Sequence, residues 1–140
     1  MHRSSRSHSG FSLIELLLVV AILGIITGIA IPSFLGQRRR ARIIGDAISN
    51  SRIIAMQMET RRADTGVYGA ANAHYTWTSG VASDPTFLPN FNPASNSKMD
   101  FDVLLGSTGL TYVITVNDPL LQNSKVYQID QNGAQLYRQY

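Results

Sequence analysis

Residues 10–35, GFSLIELLLVVAILGIITGIAIPSFL, form the stretch that decides the fold of this chain. The stretch is apolar almost throughout, and Glu15 is its only charged residue. An apolar helix of this length can cross the hydrocarbon core of a bilayer. A carboxylate within a membrane is costly, so an acid there is by default a functional hypothesis. The sequence therefore predicts a membrane helix whose single acid has a function.

Two glycines and a proline recur at four-residue spacing in the same stretch: Gly24, Gly28 and Pro32. The glycine pair is a small-xxx-small spacing that lets helix backbones approach closely. Proline removes an amide donor and clashes with the preceding turn, and glycine weakens a helix by about 1 kcal/mol relative to alanine. A helix that leaves the membrane and packs against copies of itself can use all of these features.

Residues 10–34 resemble, position by position, the N-terminus of a class III prepilin. Class III prepilins are the precursors of type IV pilins and of type II secretion pseudopilins. The resemblance implies that a membrane peptidase cuts after Gly10 and then methylates the new N-terminal Phe11. It also implies that Glu15 is the acid that serves filament assembly, five residues after the cut. The expected partners are copies of the same chain, the prepilin peptidase/methyltransferase and the platform of the pilus or secretion machinery.

Two pairings of the Glu15 carboxylate remain open. In a filament it can pair with the Phe11 ammonium of a neighbouring subunit, where losing one partner of a buried pair costs about 3–5 kcal/mol. Alternatively, it pairs with its own Phe11 amine one helical turn away. Only the first pairing selects the register of an incoming subunit.

The Gly24–Pro32 segment also has two interpretations. The resemblance implies that such a segment melts in some assembled filaments and allows extension under force. The alternative is a simple kink that stays helical.

The first half of the chain is predicted to be a leader followed by one long helix. Residues 1–10 form the leader, residues 11–35 the membrane and filament-core part, and residues 36–62 an amphipathic second half. The helix is expected from about Ser12 to Arg62, roughly 75 Å at 1.5 Å per residue. Its predicted apolar and polar faces come from spacings of three and four residues. The apolar face comprises Ile44, Ala47, Ile48, Ser51, Ala55 and Met58, and the polar face comprises Asp46, Asn50, Gln57 and Glu59.

Residues 63–140 are predicted to form a globular head. Gly66 suits a left-handed helix end, after which Tyr68 can fold back onto the helix. Residues 69–98 are expected to be a variable loop with a short strand at His74–Thr78, and its aromatic side chains are expected to cover the sheet. Residues 99–140 alternate in hydrophobicity and predict an antiparallel sheet of three or four strands. The expected fold class is α+β, the pilin fold.

Asn132-Gly133 is a strong signal for a type I′ hairpin between 124–131 and 134–140. That turn predicts Ile129 opposite Leu136 and Tyr127 opposite Arg138.

Composition excludes several function classes. The chain has no cysteine, so it has neither disulfides nor thiol nucleophiles. Removing the leader leaves His74 as the only histidine, and no enzyme signature is present, so the chain is predicted not to be an enzyme and to need no cofactor. Major pseudopilins bind calcium in C-terminal loops, which makes Asp118, Asp130 and Asn132 weak calcium candidates. Their spacing is no recognised ligand pattern, and turn residues are the alternative.

Charge bears on orientation and on partners. Four arginines, at 38, 39, 40 and 42, outnumber the two of the leader, and counted alone they favour a cytoplasmic C-terminus. The resemblance implies the opposite orientation. The four arginines suit a solvated helix face or salt bridges between subunits. DNA or anionic lipid is the sharper alternative, and the spacing does not select DNA.

The sequence thus predicts a structural subunit of a type IV pilus, held in the inner membrane before assembly into an extracellular filament. The first alternative is a major-type pseudopilin of a periplasmic type II secretion pseudopilus. The second is a membrane-tethered binding module that never polymerises. Surface adhesion and DNA binding have no support from the residues.

Overall fold

The structure is a computed structural model, and it describes residues 10–93, 99–121 and 124–139. Most of the predicted leader, part of the loop 69–98 and the final residue of the last predicted strand lie outside the described residues. The chain divides into two compact units after Arg39. One helix, α1, contributes to both units.

Helix α1 comprises Leu13–Thr65, 53 residues, which confirms the single long helix predicted from about 12 to 62. Its first hydrogen bond runs from the Leu16 N–H to the Ser12 carbonyl. Pro32 lies inside the helix without ending it. The helix ends where Gly66 takes a φ of +83°, and the Gly66 N–H donates to the Arg62 carbonyl at 2.8 Å. A left-handed glycine at this position is a common helix end.

The first unit, within its described residues, consists of the helix start and its apolar half. Every residue from Gly10 to Arg39 is exposed. The large apolar side chains are no exception: Phe11 is 78% exposed and Phe34 is 63% exposed. This part of α1 is long and apolar enough to cross a membrane. Its side chains therefore have no packing partner among the residues that the structure describes.

The second unit contains a six-stranded antiparallel sheet with the strand order β2-β1-β3-β4-β5-β6. A short 3₁₀ helix, Pro119–Leu121, follows β4. The strands are β1 (His74–Thr78), β2 (Val81–Ala82), β3 (Asp100–Leu105), β4 (Tyr112–Asp118), β5 (Ser124–Asp130) and β6 (Gln135–Arg138).

Four strands, β3 to β6, lie within 99–140 as predicted, but the prediction that the sheet is confined to this range was wrong. The short strand at His74–Thr78 is present as β1, and it pairs with β3 as part of the same sheet. The two-residue β2 then adds the outer edge. Ser79 and Gly80 connect β1 to β2 with φ values of +52° and +82°. Two positive φ values in a two-residue loop are the mark of a type I′ hairpin.

The predicted type I′ turn at Asn132-Gly133 was also wrong. Gly133 has a φ of +76°, whereas Asn132 keeps a negative φ. The Gly133 N–H donates to the Asp130 carbonyl at 3.1 Å, and the Asp130 N–H donates to the Ala134 carbonyl at 3.1 Å. This is a longer turn that ends in a left-handed glycine, a form that goes with a β-bulge.

The bulge changes the predicted pairing of β5 with β6. Tyr127 lies opposite Arg138 as predicted. Ile129, however, lies opposite Gln135 and not Leu136, because the register shifts between Gln128 and Ile129.

The core lies between the second half of α1 and one face of the sheet. From β3 and β4, Phe101, Val103, Tyr112, Ile114 and Val116 are buried in alternation with more exposed neighbours, as the period of two predicted. The buried residues of α1 join the same cluster or lie beside it: Ala47, Asn50, Ser51, Ile54 and Met58.

The predicted helix faces need two corrections. Asn50 was assigned to the polar face but is only 7% exposed, and its side-chain amide donates to the Asp46 carbonyl at 2.9 Å. This local bond satisfies one of its donors and so makes its burial tolerable. Ile54, which the prediction omitted, is fully buried.

Aromatic side chains from the connection between helix and sheet complete the core, as predicted. Trp77 is 1% exposed and meets Phe91 edge to face, with ring centroids 5.2 Å apart. Phe87 stacks on Tyr75. Edge-to-face and stacked pairs add stability beyond the area they bury.

Candidate functional site

The Gly10–Phe11 bond lies just before α1, outside regular secondary structure. Both residues are exposed. The carboxylate of Glu15 turns back toward this bond, and its Oε2 accepts the Ser12 N–H at 2.9 Å. This contact is the return half of a capping box, in which an acid in the first turn satisfies the N–H of the capping residue. The predicted cleavage site and the predicted assembly acid therefore lie within one helical turn of each other.

The contact of Glu15 is local in the uncut chain, where the nitrogen of Phe11 belongs to a peptide bond. The predicted cleavage after Gly10 would turn this nitrogen into an ammonium one residue before Ser12. The first turn also places the carboxylate near the positive end of the helix dipole. The carboxylate thus has a neutral partner, the Ser12 N–H, in the uncut chain, and the predicted cut would give it a charged one.

Gly24, Gly28 and Pro32 lie on one side of α1, because residues four apart are displaced by about 40° around a helix. A Cβ added at Gly24 or Gly28 meets no atom within 4 Å. This side of the helix is therefore open for close approach of another backbone. The Thr27 hydroxyl donates to the carbonyls of Leu23 and Gly24, at 2.8 and 3.1 Å.

The helix stays unbroken through Pro32. Pro32 has no N–H, so the Gly28 carbonyl lacks its usual helical donor. A continuous helix with one missing bond fits the kink interpretation for the isolated chain. Melting of this segment in a filament stays a prediction.

The residues before Pro32 match a known motif. Residues 5–31 match the family described as the prokaryotic N-terminal methylation motif. This match supports a class III prepilin signal at residues 5–31, of the kind found in type IV pilins and pseudopilins. No solved structure matches the chain. The long helix with a small C-terminal antiparallel sheet agrees with the α+β pilin fold.

The predicted return of Tyr68 onto the helix is confirmed, and Tyr68 forms a polar cluster that joins the end of α1 to the rest of the second unit. Tyr68 is 1% exposed. Its hydroxyl donates to Glu59 Oε1 at 2.6 Å and accepts a hydrogen bond from Arg62 Nη1 at 3.0 Å. The Tyr68 N–H donates to the Gly109 carbonyl at 2.9 Å.

Burial, together with the hydrogen bond to Glu59, raises the pKa of Tyr68 above its ordinary value. The sequence indicated that Tyr68 folds back, but gave no sign of Glu59 and Arg62 as its partners.

The three calcium candidates do not converge. Asp118 lies opposite Ser124 at one end of the β4–β5 pair, and Asp130 lies opposite Val113 at the other end. Both carboxylates cap turns. Asp118 accepts the Leu120 N–H at 2.9 Å, and Asp130 accepts the N–H groups of Asn132 and Ala134 at 2.9 and 2.8 Å.

The residues therefore behave as the turn interpretation predicted. Among the residues that the structure describes, no group of three His, Cys, Asp or Glu side chains is placed to hold a metal ion.

His74 has a partner that the sequence did not reveal. Its Nε2 lies 2.7 Å from Oδ1 of Asp102, across the β1–β3 pairing. The His74 side chain is 54% exposed, so the pair lies open on the surface of the sheet. The contact appears only once β1 is known to lie beside β3, because the two residues are 28 positions apart. An exposed histidine–carboxylate pair of this kind is an ordinary surface contact.

Proposed function

We propose that this chain is the structural subunit of a type IV pilus. In this proposal, a prepilin peptidase cuts after Gly10 and methylates Phe11. The observation that carries the proposal is the methylation motif joined to an apolar helix of which every residue from 13 to 39 is exposed. Such a surface is stable in only two settings, a bilayer or the bundle of identical helices in a filament.

The exposed apolar half of α1 supports a path from membrane to filament. Before assembly it spans the inner membrane. During assembly it exchanges lipid tails for neighbouring helices, which the pilus platform brings together. Lipid tails are as apolar as the helix surface, so the exchange relies on close packing and on polar contacts. The open faces of Gly24 and Gly28 support the close packing.

Glu15 supplies the polar contact in this proposal. After cleavage its carboxylate leaves the Ser12 N–H and pairs with the Phe11 ammonium of a neighbouring subunit. The surroundings are apolar, so a subunit in the wrong register leaves two charges unpaired, at about 3–5 kcal/mol for a broken buried pair. The competing state is the pair of Glu15 with the Phe11 ammonium of the same subunit, and the pair between subunits must be more stable than this one for assembly to proceed.

The pseudopilin of a type II secretion system remains the second candidate, since it shares the N-terminus. One reason for preferring it is weakened, because Asp118 and Asp130 lie at opposite ends of the strand pair and do not form a calcium site together. Long extracellular filaments distinguish a pilus from a periplasmic pseudopilus.

The deciding experiment is mass spectrometry of the N-terminus in sheared surface fractions from cells that produce the wild type, Glu15→Ala or Asp46→Ala. Asp46 is a matched control, because it is an exposed acid on the same helix and its side chain makes no ion pair in the described part of the chain. We expect methylated Phe11 as the first residue in wild-type and Asp46→Ala filaments, and few or no filaments from Glu15→Ala.

An intact leader in all three proteins, confined to the membrane, would support the tethered module and refute the pilus. Filaments of equal yield from Glu15→Ala would refute the role given to Glu15 and leave the subunit assignment standing.

A further inference from the structure

Four arginines follow directly on the apolar half of α1: Arg38, Arg39, Arg40 and Arg42. We call them the arginine collar. All four are exposed. In the described ranges the one ion pair is that of His74 with Asp102, so no acid within these ranges forms an ion pair with the collar. Even Asp46, one turn beyond Arg42, does not pair with it. Within the described residues, the four charges of the collar therefore have no ion-pair partner and are open to a partner outside the chain.

The position of the collar along the helix matches the surface of a bilayer. Arg38 lies 25 residues after Leu13, about 37 Å along the axis at 1.5 Å per residue. The hydrocarbon core of a bilayer is about 30 Å thick, and the headgroup layers bring the total to about 40–45 Å. A helix that spans the membrane from its first turn therefore delivers Arg38 to the headgroups of the far leaflet.

The spread of the four side chains around the helix also favours a headgroup layer as the partner. Successive residues are about 100° apart around a helix, so Arg38, Arg39 and Arg40 cover about 200° of the circumference. Arg42 lies about 40° from Arg38. A neighbouring helix or a nucleic-acid duplex approaches from one side and meets part of this set. A headgroup layer surrounds the helix and meets all of it.

We propose that the arginine collar is a binding site for the phosphates of anionic phospholipids. Guanidinium groups bind phosphate oxygens through two parallel hydrogen bonds, and their long apolar stems can reach along the helix to the headgroup layer. The collar fixes the depth of the subunit in the membrane before assembly. The proposal requires insertion into a membrane but not polymerisation, so it stands or fails separately from the pilus proposal.

The test measures lipid selectivity by electron spin resonance. The full chain is reconstituted into phosphatidylcholine vesicles with trace spin-labelled phosphatidylglycerol or spin-labelled phosphatidylcholine, and the motionally restricted fraction of each label is compared. We expect about fivefold stronger association of the anionic lipid, since one basic residue near an anionic surface is worth about this factor. Alkaline carbonate extraction checks that the chain has inserted.

Four variants separate the collar from general positive charge. The change of all four collar arginines to glutamine should reduce the preference to none, and their change to lysine should keep most of it. Arg42→Gln should weaken it, whereas Arg52→Gln, an exposed arginine further along α1, should leave it unchanged.

Four results would overturn the proposal. They are equal association of both lipids with the wild type, a preference that survives in the fourfold glutamine variant, an equal loss in Arg52→Gln, and a chain that carbonate extracts. Loss of the preference in inorganic phosphate, but not in chloride of the same ionic strength, would identify a free-phosphate site instead. Retention of duplex DNA by the collar, with no lipid preference, would identify a nucleic-acid site.

Discussion

Replacing Tyr68 with phenylalanine tests whether the polar cluster at the end of α1 holds the head together. The change removes a hydroxyl that bonds Glu59 at 2.6 Å and Arg62 at 3.0 Å, and keeps the ring that meets Tyr112 edge to face at 4.7 Å. Hydrogen bonds to charged groups contribute about 1.5–3 kcal/mol each when buried. Glu59 and Arg62 are exposed and regain water, so we expect the free energy of unfolding to fall by about 1–2 kcal/mol in total.

The assay is urea unfolding of the full chain in detergent, followed by the fluorescence of Trp77. Trp77 is the only tryptophan and is 1% exposed, so it reports on the core of the head. A loss of 1–2 kcal/mol corresponds to a decrease in the melting temperature of about 5–15 °C for a unit of this size.

Tyr137→Phe is the matched control, because Tyr137 is 41% exposed. If Tyr68→Phe unfolds at the same urea concentration as Tyr137→Phe, the cluster has no net effect and the reasoning is refuted.

Two further predictions concern the head. Burial raises the pKa of Tyr112 far above its ordinary value of 10.0, so the folded state keeps a proton that the unfolded chain loses. The free energy of unfolding should therefore be unaffected by this group below about pH 10 and should fall above it. Above that pH, the free energy of unfolding should fall less steeply with pH for Tyr112→Phe than for the wild type. Equal slopes would contradict the assignment. Gly109→Ala should destabilise by about 2 kcal/mol or more, because φ is +68° and an added Cβ would meet the Gly69 carbonyl oxygen. Gly45→Ala, on α1 where a Cβ meets nothing within 4 Å, should instead stabilise by about 0.5–1 kcal/mol, and urea midpoints that fail to move in opposite directions would count against both.

The helix could be predicted from sequence because its causes are local. The sequence of the helix itself contains its signals: an apolar run, an acid in the first turn and a glycine at the end. The structure places both ends of the helix within three residues of the expected ones. The methylation motif at residues 5–31 is likewise local, and the predicted roles of Gly10, Phe11 and Glu15 rest on it.

The sheet and the head could be predicted only in part, because their causes are distant in sequence. β1 is recognised as part of the sheet only through β3, and β2 is too short for any periodicity. The Asn132-Gly133 pair is compatible with two turn types. In the longer turn that the structure shows, the Asp130 carboxylate accepts two N–H groups of the turn. The partners of Tyr68 and His74 likewise depend on how the chain folds back.

The exposure of residues 10–39 has a consequence for how mutations in this protein are found. The members of the hydrophobic core all come from residue 43 onward. A substitution in the first part of α1 therefore leaves the folding free energy of the head almost untouched, and a screen that scores protein abundance or protease resistance will record it as silent. Under the proposed function, the cost of such a substitution appears only when the chain meets lipid or another copy of itself. The two parts of α1 are thus under different constraints. Residues up to 39 are constrained by the surroundings of the helix, and residues from 43 onward by packing in the hydrophobic core.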